Sequence, residues 1–540
     1  MELAEAAGPG VVVARAARAR SLRPPAVVWV PAALVATGML LPLAYLVLRT
    51  LGVGAEVWDL LFRSRTLDIL IRSALLVVAV TGASVAIAVP LAWLTVRTDL
   101  PWRGSWAIIT VLPLVIPSYV GGLVAVVALG PRGVLQGWLA PLGVERLPAI
   151  FGFPGAMLTL TLLSYPYVLL PVRTALARLD PTLEETSQSL GKGTGTTFFR
   201  VSLPLLRPAI AAGALLVALY TLSDFGAVSL LHYETFTWAI YIQYGYFARD
   251  LAAALSLVLV VLALGMLIAE TRTRGRSRYY RSTTGGARSP TLVRLGRWRW
   301  PALAFCAIVV LLSLVMPVSV LSYWVARGVS AGEPLLLLWG HARNSLYVSG
   351  LAAVVAVLAA LPIAILTVRY PGRISGLLER LSYVGFALPG IVVALALVFF
   401  GVRYATPLYQ TLGLLVFACV VLFLPTAVGA ARTSLLQVNP KLEEAARSLG
   451  RTPLQVLATI TLPLVRPGIL AGTALVFLLT MKELPATLIL SPIGFKTLAT
   501  SIWGATEDGF FAQAAAPALL LILASSVPMT FLVQRGRREA

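Results

Sequence analysis

Long runs of apolar residues without Asp, Glu, Lys or Arg dominate the chain. A membrane-spanning helix needs roughly 20 apolar residues, because the hydrocarbon core of a bilayer is about 30 Å thick. The pattern predicts an all-α membrane protein with twelve spans, six in each half of the chain. The runs are Ala26–Leu48, Ser73–Val96, Ser105–Pro131, Leu147–Val172, Pro208–Ser223, Leu251–Ala269, Pro301–Ala326, Asn344–Val368, Leu381–Val402, Tyr404–Ala431, Pro467–Met481 and Gly509–Gln534.

The composition excludes most soluble proteins. Of the 540 residues, 59% are hydrophobic and only 12% charged, whereas a soluble domain has about 25% charged residues. A water-soluble enzyme and a disordered chain are therefore excluded. The two cysteines, Cys306 and Cys419, both lie in apolar runs and exclude a disulfide framework.

The net charge of +21 fits a membrane topology better than nucleic-acid binding. If both termini are cytosolic and the spans alternate, most of the 43 Lys and Arg residues fall on the cytosolic side. The segment before Ala26 is then a cytosolic tail. We do not expect it to be part of a cleaved signal peptide, because the first apolar run is too long and no small-residue cleavage site follows it.

The chain contains the same pattern twice. Residues 179–191 recur at 438–450 with an offset of 259, and further upstream Arg97 matches Arg369 with an offset of 272. Each half has an even number of predicted spans, so the two repeats face the same way in the membrane. The predicted domains are a tail at 1–25, a six-helix repeat at 26–270, a basic cytosolic linker at 271–300, a second repeat at 301–534 and a tail at 535–540.

The duplicated loop predicts a short helix in each half. Asp180 and Asn439 are good N-caps, and each precedes a proline that suits the first helical turn. Two glutamates follow in each copy, where the helix dipole favours negative charge. Gly191 and Gly450 are natural stops.

In the second copy, Leu442, Ala446 and Leu449 form an apolar face at helical spacing. A helix of about ten residues is marginal in isolation, so it needs a surface to pack against. The residues leave two interpretations open. The loop is either an amphipathic helix at the membrane interface that was duplicated with the gene, or a docking element for a cytosolic partner with two matching sites.

The pattern Glu184-Glu-Thr…Gly191…Leu-Pro, repeated as Glu443-Glu-Ala-Ala…Gly450…Leu-Pro, resembles the EAA loop of the permeases of ABC importers. In that family the loop helix fits a groove on an ATPase subunit and transmits its motion. The resemblance implies the type I permease fold and two ATPase copies. The first repeat departs from the family pattern with Thr186 and Ser187 where alanines are usual. The docking residues implied are Glu184, Glu185, Gly191, Glu443, Glu444, Ala446 and Gly450.

The chain has no nucleotide-binding motif of its own. The stretch Gly191-Lys-Gly-Thr-Gly195 is glycine-rich, but it lacks the spacing of a P-loop and no hydrophobic strand precedes it. We therefore expect that this chain binds no cofactor and that ATP is bound by the separate ATPase chain.

The fifth apolar run is short in both halves, at Pro208–Ser223 and Pro467–Met481, and each span is expected to take further apolar length from the residues before its arginine, Arg207 or Arg466. By analogy with secondary transporters, short spans at matching positions indicate the transport path. Each run ends in ionisable residues, since Asp224 aligns with Glu483 and Lys482 precedes the latter. Such residues either lie at the membrane interface or face a cationic substrate, and Lys482 beside Glu483 could instead form a salt bridge.

The stretches Ser223–Ala227, Lys482–Leu488 and Gly494–Trp503 resemble the fused ferric-iron permeases. This resemblance covers nearly the whole chain after the N-terminal tail. It implies import of ferric iron from an extracytoplasmic binding protein across the cell or inner membrane of a prokaryote. Relatives with the same two-in-one layout carry thiamine, aminoethylphosphonate or polyamines, so these substrates remain alternatives.

Ferric iron is a hard ion that favours carboxylate and phenolate oxygens. The predicted outer loops carry such groups, although tyrosines are also enriched at membrane interfaces for other reasons. His232 and His341 are expected to be loop residues rather than ligands, and the metal-binding residues stay unassigned. The candidate oxygens belong to Tyr233, Glu234, Tyr241, Tyr244, Tyr246, Asp250, Glu507 and Asp508.

Two other classes of membrane protein fit less well. A proton-coupled secondary transporter with six plus six spans needs ionisable residues inside its spans, and the apolar runs supply none at mid-span. A membrane-embedded enzyme needs a catalytic cluster at membrane depth, which two histidines and isolated acids do not make. The sequence therefore predicts a transport subunit in contact with lipid, not an enzyme, with no nucleic-acid partner.

Overall fold

The computed structural model describes residues 24–52, 63–131, 133–143, 148–246, 249–273, 292–332 and 339–538. Within these residues the protein is helical and has no strand beyond an isolated bridge between Thr98 and Val293. Eleven helices are long and apolar enough to cross a membrane, or twelve if a pair bent by 105° counts as one span. The predicted all-α fold with about twelve spans is confirmed.

The helices α1 to α11 form the first half of the chain. Their bounds are Ala26–Leu51, Ser64–Arg97, Arg103–Ile109, Ser118–Leu129, Val134–Leu139, Phe153–Arg178, Pro181–Ser189, Thr194–Ser223, Gly226–Leu230, Phe236–Gly245 and Arg249–Thr273.

The helices α12 to α21 form the second half. Their bounds are Gly296–Ser330, Trp339–Arg369, Arg373–Ser382, Gly390–Tyr404, Leu412–Gln437, Pro440–Ser448, Pro453–Met481, Pro485–Leu490, Leu498–Glu507 and Phe511–Arg538.

The third predicted span is broken in both halves. A proline fixes its own φ near −65° and disfavours helix at the residue before it. Pro117 precedes α4 with φ −65°, and Pro389 precedes α15 with φ −60°. In the second half this break is the 105° bend between residues 373–387 and 390–404. Each break therefore presents a helix N-terminus, at Ser118 and at Gly390, inside the protein.

The fifth span of each half extends before its short apolar run, as expected. The helices α8 and α18 are 30 and 29 residues long and begin well before Arg207 and Arg466. Both helices continue through these two arginines, whose side chains are exposed. The predicted span at Tyr404–Ala431 is wrong at its start, since Tyr404 ends α15 and α16 begins at Leu412.

The two halves interlock through the first span of each. The helix α1 packs against α13, α14 and α15 of the second half, where Tyr45 meets the rings of Phe400 and Tyr404 at 6.2 Å. In return, Val320 and Trp324 of α12 lie against Leu123 of α4. This exchange makes the core continuous between the halves.

The end of the predicted linker is attached to the first half. The Val293 amide donates to the Arg97 carbonyl at 2.9 Å, and the Asp99 amide donates to the Val293 carbonyl at 3.1 Å. The Leu295 amide donates to Asp99 Oδ1 at 2.9 Å. Helix α12 then begins at Gly296, inside the range predicted as linker. Residues 274–291 of the predicted linker lie outside the described residues, as do residues 1–23 of the predicted N-terminal tail. The division into domains stays a prediction.

Candidate functional site

The two short helices of the duplicated loop, α7 and α17, have the predicted starts. Asp180 Oδ1 accepts from the Thr182 amide at 3.0 Å, and Asn439 Oδ1 accepts from the Lys441 amide at 3.0 Å. Both helices end before glycines with positive φ, +76° at Gly191 and +84° at Gly450. This left-handed conformation is the usual reason for glycine after a helix. Local sequence signals therefore define both helices.

In the second half, a buried glutamate ties α17 to the membrane domain. Glu443 Oε1 accepts from Arg369 Nη2 at 2.8 Å, from Arg369 Nε at 3.1 Å and from the Thr461 hydroxyl at 3.0 Å. Arg369 ends α13, while Thr461 lies in α18. These buried, charge-assisted bonds connect α17 to both α13 and α18. We call this set the second clamp.

The first half repeats the arrangement with weaker geometry, and we call it the first clamp. Glu184 accepts from the Ser202 hydroxyl at 2.7 Å, but Arg97 Nε lies 3.5 Å from Glu184 Oε2. Arg97 is only 1% exposed, and within the described residues its Nε and Nη1 atoms have no hydrogen-bond partner. Its Nη2 donates to the Leu179 carbonyl at 3.2 Å. The first clamp is thus looser than the second.

The predicted docking residues divide into two groups. Glu184, Glu443 and Ala446 face the membrane domain, and Glu443 and Ala446 are buried. Glu444 and the two glycines are exposed, and Glu185 is partly exposed. The most accessible apolar side chains within and directly after the two helices are leucines. They form an exposed apolar surface at each helix. Their exposed fractions are 48% for Leu183, 74% for Leu190, 49% for Leu442 and 85% for Leu449.

The predicted pathway residue Asp224 caps a short helix. It follows α8, is 5% exposed, and its Oδ2 accepts from the amides of Ala227 and Val228 at 3.0 and 3.3 Å. The N-terminus of α4 lies beside this carboxylate, since a Cβ atom on Gly226 would lie 3.0 Å from the Ser118 hydroxyl. Asp224 is therefore an interior residue at the junction of two helix N-termini.

Glu483 occupies the matching place in the second half. Its Oε1 accepts from the Ala486 amide at 3.2 Å, and the carboxylate packs against Gly390, where a Cβ atom would clash. Lys482 also contacts the first half, because its Nζ donates to the Leu114 carbonyl at 2.9 Å. Both Lys482 and Glu483 keep part of their surface accessible. The acids of the two repeats thus lie near the interface between halves.

The candidate carboxylates of the outer loops do not form a metal-sized group in the described part of the chain. Glu234 pairs with Arg65 at 2.9 Å and Arg72 at 3.7 Å, and Asp250 pairs with Arg49 at 2.6 Å. Burial raises the pKa of the Tyr233, Tyr241 and Glu507 side chains, which opposes their ionisation. In the described part of the chain, no three His, Cys, Asp or Glu residues form a metal-sized group. The described outer loops therefore hold no preformed carboxylate or histidine site.

Both histidines have structural contacts. His232 has φ +52° in a turn and packs between Phe151 and Trp238. His341 is in the first turn of α13 rather than in the predicted loop, and its Nδ1 lies 2.8 Å from the Ser501 hydroxyl.

Sequence reasoning missed the arginines and hydroxyls of the clamps. Arg97 and Arg369 are matched in the repeat, as are Ser202 and Thr461. Polar residues kept at equivalent positions on both sides of the duplicated loop were the available signal. The pairing itself joins residues 74 positions apart and needs the fold.

Comparison with known proteins places the chain in a family. Over 78% of this chain and 80% of the relative, the sequence is 39% identical to the Fe(3+)-transport system permease protein FbpB 2 of Haemophilus influenzae. The chain belongs to the permeases of ABC importers. This permease is accordingly a multi-pass membrane protein and a transport subunit, and the rival classes of secondary transporter and membrane enzyme are not favoured.

Further comparisons agree with this assignment. Residues 352–538 of the permease match the family model of binding-protein-dependent transport system inner membrane components. The ferric transport system permease protein FbpB of Actinobacillus pleuropneumoniae is 27% identical over 77% of this chain and 63% of its own. The molybdenum transport system permease protein ModB of Escherichia coli is 35% identical, but over only 22% of this chain and 50% of its own.

Proposed function

We propose that this permease forms the membrane path of an ATP-driven importer of ferric iron. An extracytoplasmic binding protein delivers the ion, two copies of an ABC ATPase bind the cytosolic face, and both termini of the permease are cytosolic. The observation that carries this proposal is the duplicated, clamped loop helix in a chain that is 39% identical to an Fe(3+)-transport permease over most of its length.

The clamps supply the mechanical connection that such an importer needs. A displacement of α17 by an ATPase acts on α13 through Arg369 and on α18 through Thr461. The helix α7 acts on α2 and α8 through Arg97 and Ser202 in the same way. Since α8 and α18 each end next to an interior acid, ATP-driven motion at the cytosolic face reaches the residues between the halves.

The substrate follows from the relatives. The two FbpB proteins are named for ferric transport and align with more than three quarters of this chain, whereas the molybdenum permease aligns with 22% of it. Thiamine, aminoethylphosphonate and polyamines are not favoured by these comparisons. We therefore place ferric iron first.

Uptake of radiolabelled ferric ion by cells with and without the gene tests this function. The expected result is uptake that requires the gene and ATP and that is unaffected by excess unlabelled thiamine, aminoethylphosphonate or spermidine. Inhibition by one of these competitors would indicate that this compound, rather than ferric iron, is the substrate. Equal iron uptake in both strains, with no other system able to compensate, would contradict the proposal.

A further inference from the structure

Three phenols of the first half lie close together in the interior. The rings of Tyr167 in α6 and Tyr220 in α8 have centroids 5.4 Å apart. Tyr119, at the start of α4, packs against the segment that follows α8, since a Cβ atom on Gly226 would lie 2.7 Å from the Tyr119 Cβ atom. All three tyrosines come from predicted spans that are far apart in the sequence.

Both interior carboxylates adjoin this cluster. Asp224 lies one helical turn after Tyr220, and a Cβ atom on Gly226 would lie 3.0 Å from the Ser118 hydroxyl beside Tyr119. Glu483 of the second half follows Lys482, whose Nζ donates at 2.9 Å to the carbonyl of Leu114, shortly before Tyr119. The carboxylates of both halves thus lie next to the segments that carry the phenols.

One of the phenols has a buried hydroxyl that the protein leaves unsatisfied. Tyr119 is 2% exposed, and among the described residues its hydroxyl has no hydrogen-bond partner. A buried polar group without a partner is destabilising. Tyr167, Tyr220 and Glu483 each keep part of their surface accessible.

The repeat shows that the fold itself does not require these phenols. The positions that match Tyr119, Tyr167 and Tyr220 in the second half are Ile391, Thr426 and Leu479. The same helices pack there without a phenol, whereas an acid is kept in both halves as Asp224 and Glu483. The tyrosines are therefore an addition to one half of a duplicated scaffold.

We propose that Tyr119, Tyr167, Tyr220, Asp224 and Glu483 form a transient binding site for ferric ion on the translocation path. Phenolate and carboxylate oxygens are the hard ligands that ferric ion favours. Each phenol that binds releases one proton to water as its oxygen–iron bond forms. The site deepens the proposed function and rests on it.

The test combines binding and transport for matched variants. Tyr119→Phe and Tyr220→Phe remove a hydroxyl and keep the ring. Tyr165→Phe is the control, because Tyr165 lies two positions from Tyr167 in α6 and its hydroxyl donates to the Thr110 carbonyl at 2.7 Å. Purified permease in nanodiscs is titrated with ferric nitrilotriacetate, and the visible charge-transfer absorption of phenolate-bound ferric ion is recorded. Gene-dependent ferric uptake is measured in parallel.

The expected result is a visible band in the wild type and in Tyr165→Phe that is strongly weakened in the Tyr119→Phe/Tyr220→Phe double variant, which keeps only the Tyr167 phenol. Ferric uptake by the double variant should fall at least about tenfold, which corresponds to about 1.4 kcal/mol. A wild type that transports iron without the band, or a double variant with normal uptake, would overturn the site alone. Absence of ferric uptake in the wild type would overturn the proposed function, and the site with it.

Discussion

Arg97 and Arg369 are arginines at the ends of long helices whose guanidinium groups reach the short helices α7 and α17. Their partners, Glu184 and Glu443, are the glutamates that the family resemblance assigns to docking. The structure turns both carboxylates toward the permease itself. At the residue scale, these glutamates position the docking helix, and exposed leucines beside them form its outer surface.

A charge exchange separates these two roles. Glu443→Arg alone should sharply weaken ATPase co-purification, because breaking a buried ion pair costs about 3–5 kcal/mol. Combining it with Arg369→Glu should restore much of the binding if the pair acts within the permease. Co-purification from detergent extracts, with permease content in the membrane as the reference, measures the effect. If Glu443 contacts the ATPase directly, the second substitution will restore nothing.

The exposed leucines give a complementary prediction. Leu442→Ser with Leu449→Ser should leave insertion and folding intact, because both side chains already face solvent. Binding of ATPase to α17 should fall, since burying a leucine contributes about 1.5–3 kcal/mol. The bound ATPase should drop from two copies per permease toward one, and adding Leu183→Ser and Leu190→Ser should remove the second copy. Native mass spectrometry counts the copies, and an unchanged ratio of two would show that the leucines do not dock.

At the scale of elements, local sequence signals predicted the short helices well. The sequence did not predict which helices pack together. The caps, prolines and terminal glycines of α7 and α17 lie within a few residues of each other, so the sequence alone located both helices. The fifth apolar run is short because Arg207 and Arg466 interrupt it, and the helices extend before these arginines as expected. The clamps and the phenol cluster join residues from separate helices, and no pattern along the chain shows which helices meet.

At Gly213, α8 approaches α6 more closely than α18 approaches α16 at the matching Gly472. A Cβ on Gly213 would lie 2.6 Å from the Val168 Cα atom, whereas on Gly472 it would lie 3.0 Å from the Ala430 Cβ atom. Gly213→Ala must therefore move backbone, and overpacking of this kind costs about 1–3 kcal/mol. Gly472→Ala, the matched control, should be better tolerated. Thermal unfolding of the two purified variants compares them, and equal melting temperatures would contradict the difference in packing.

At the scale of the whole molecule, two similar halves share one core but differ in detail. The first spans are exchanged between halves, and the Val293 bridge ties the end of the linker to the first half only. The second clamp is closer than the first, and the phenols lie in the first half alone. Duplication therefore explains the shared scaffold. The differences mark where each half has a separate task, with tighter coupling in the second half and the candidate ion site on the side of the first.

The orientation that the charges of the permease predict can be measured directly. Cys306 and Cys419 are both fully buried, so the native thiols give a low labelling background. Ser448→Cys places a thiol on α17, and Asp508→Cys places one after α20, at positions that are exposed. In spheroplasts, a membrane-impermeant maleimide should label the cysteine at 508 and reach the cysteine at 448 only after lysis. This result follows if the arginine-rich loops are cytosolic. Labelling of the cysteine at 448 in intact spheroplasts would invert the topology and remove the ATPase from the face that carries both clamps.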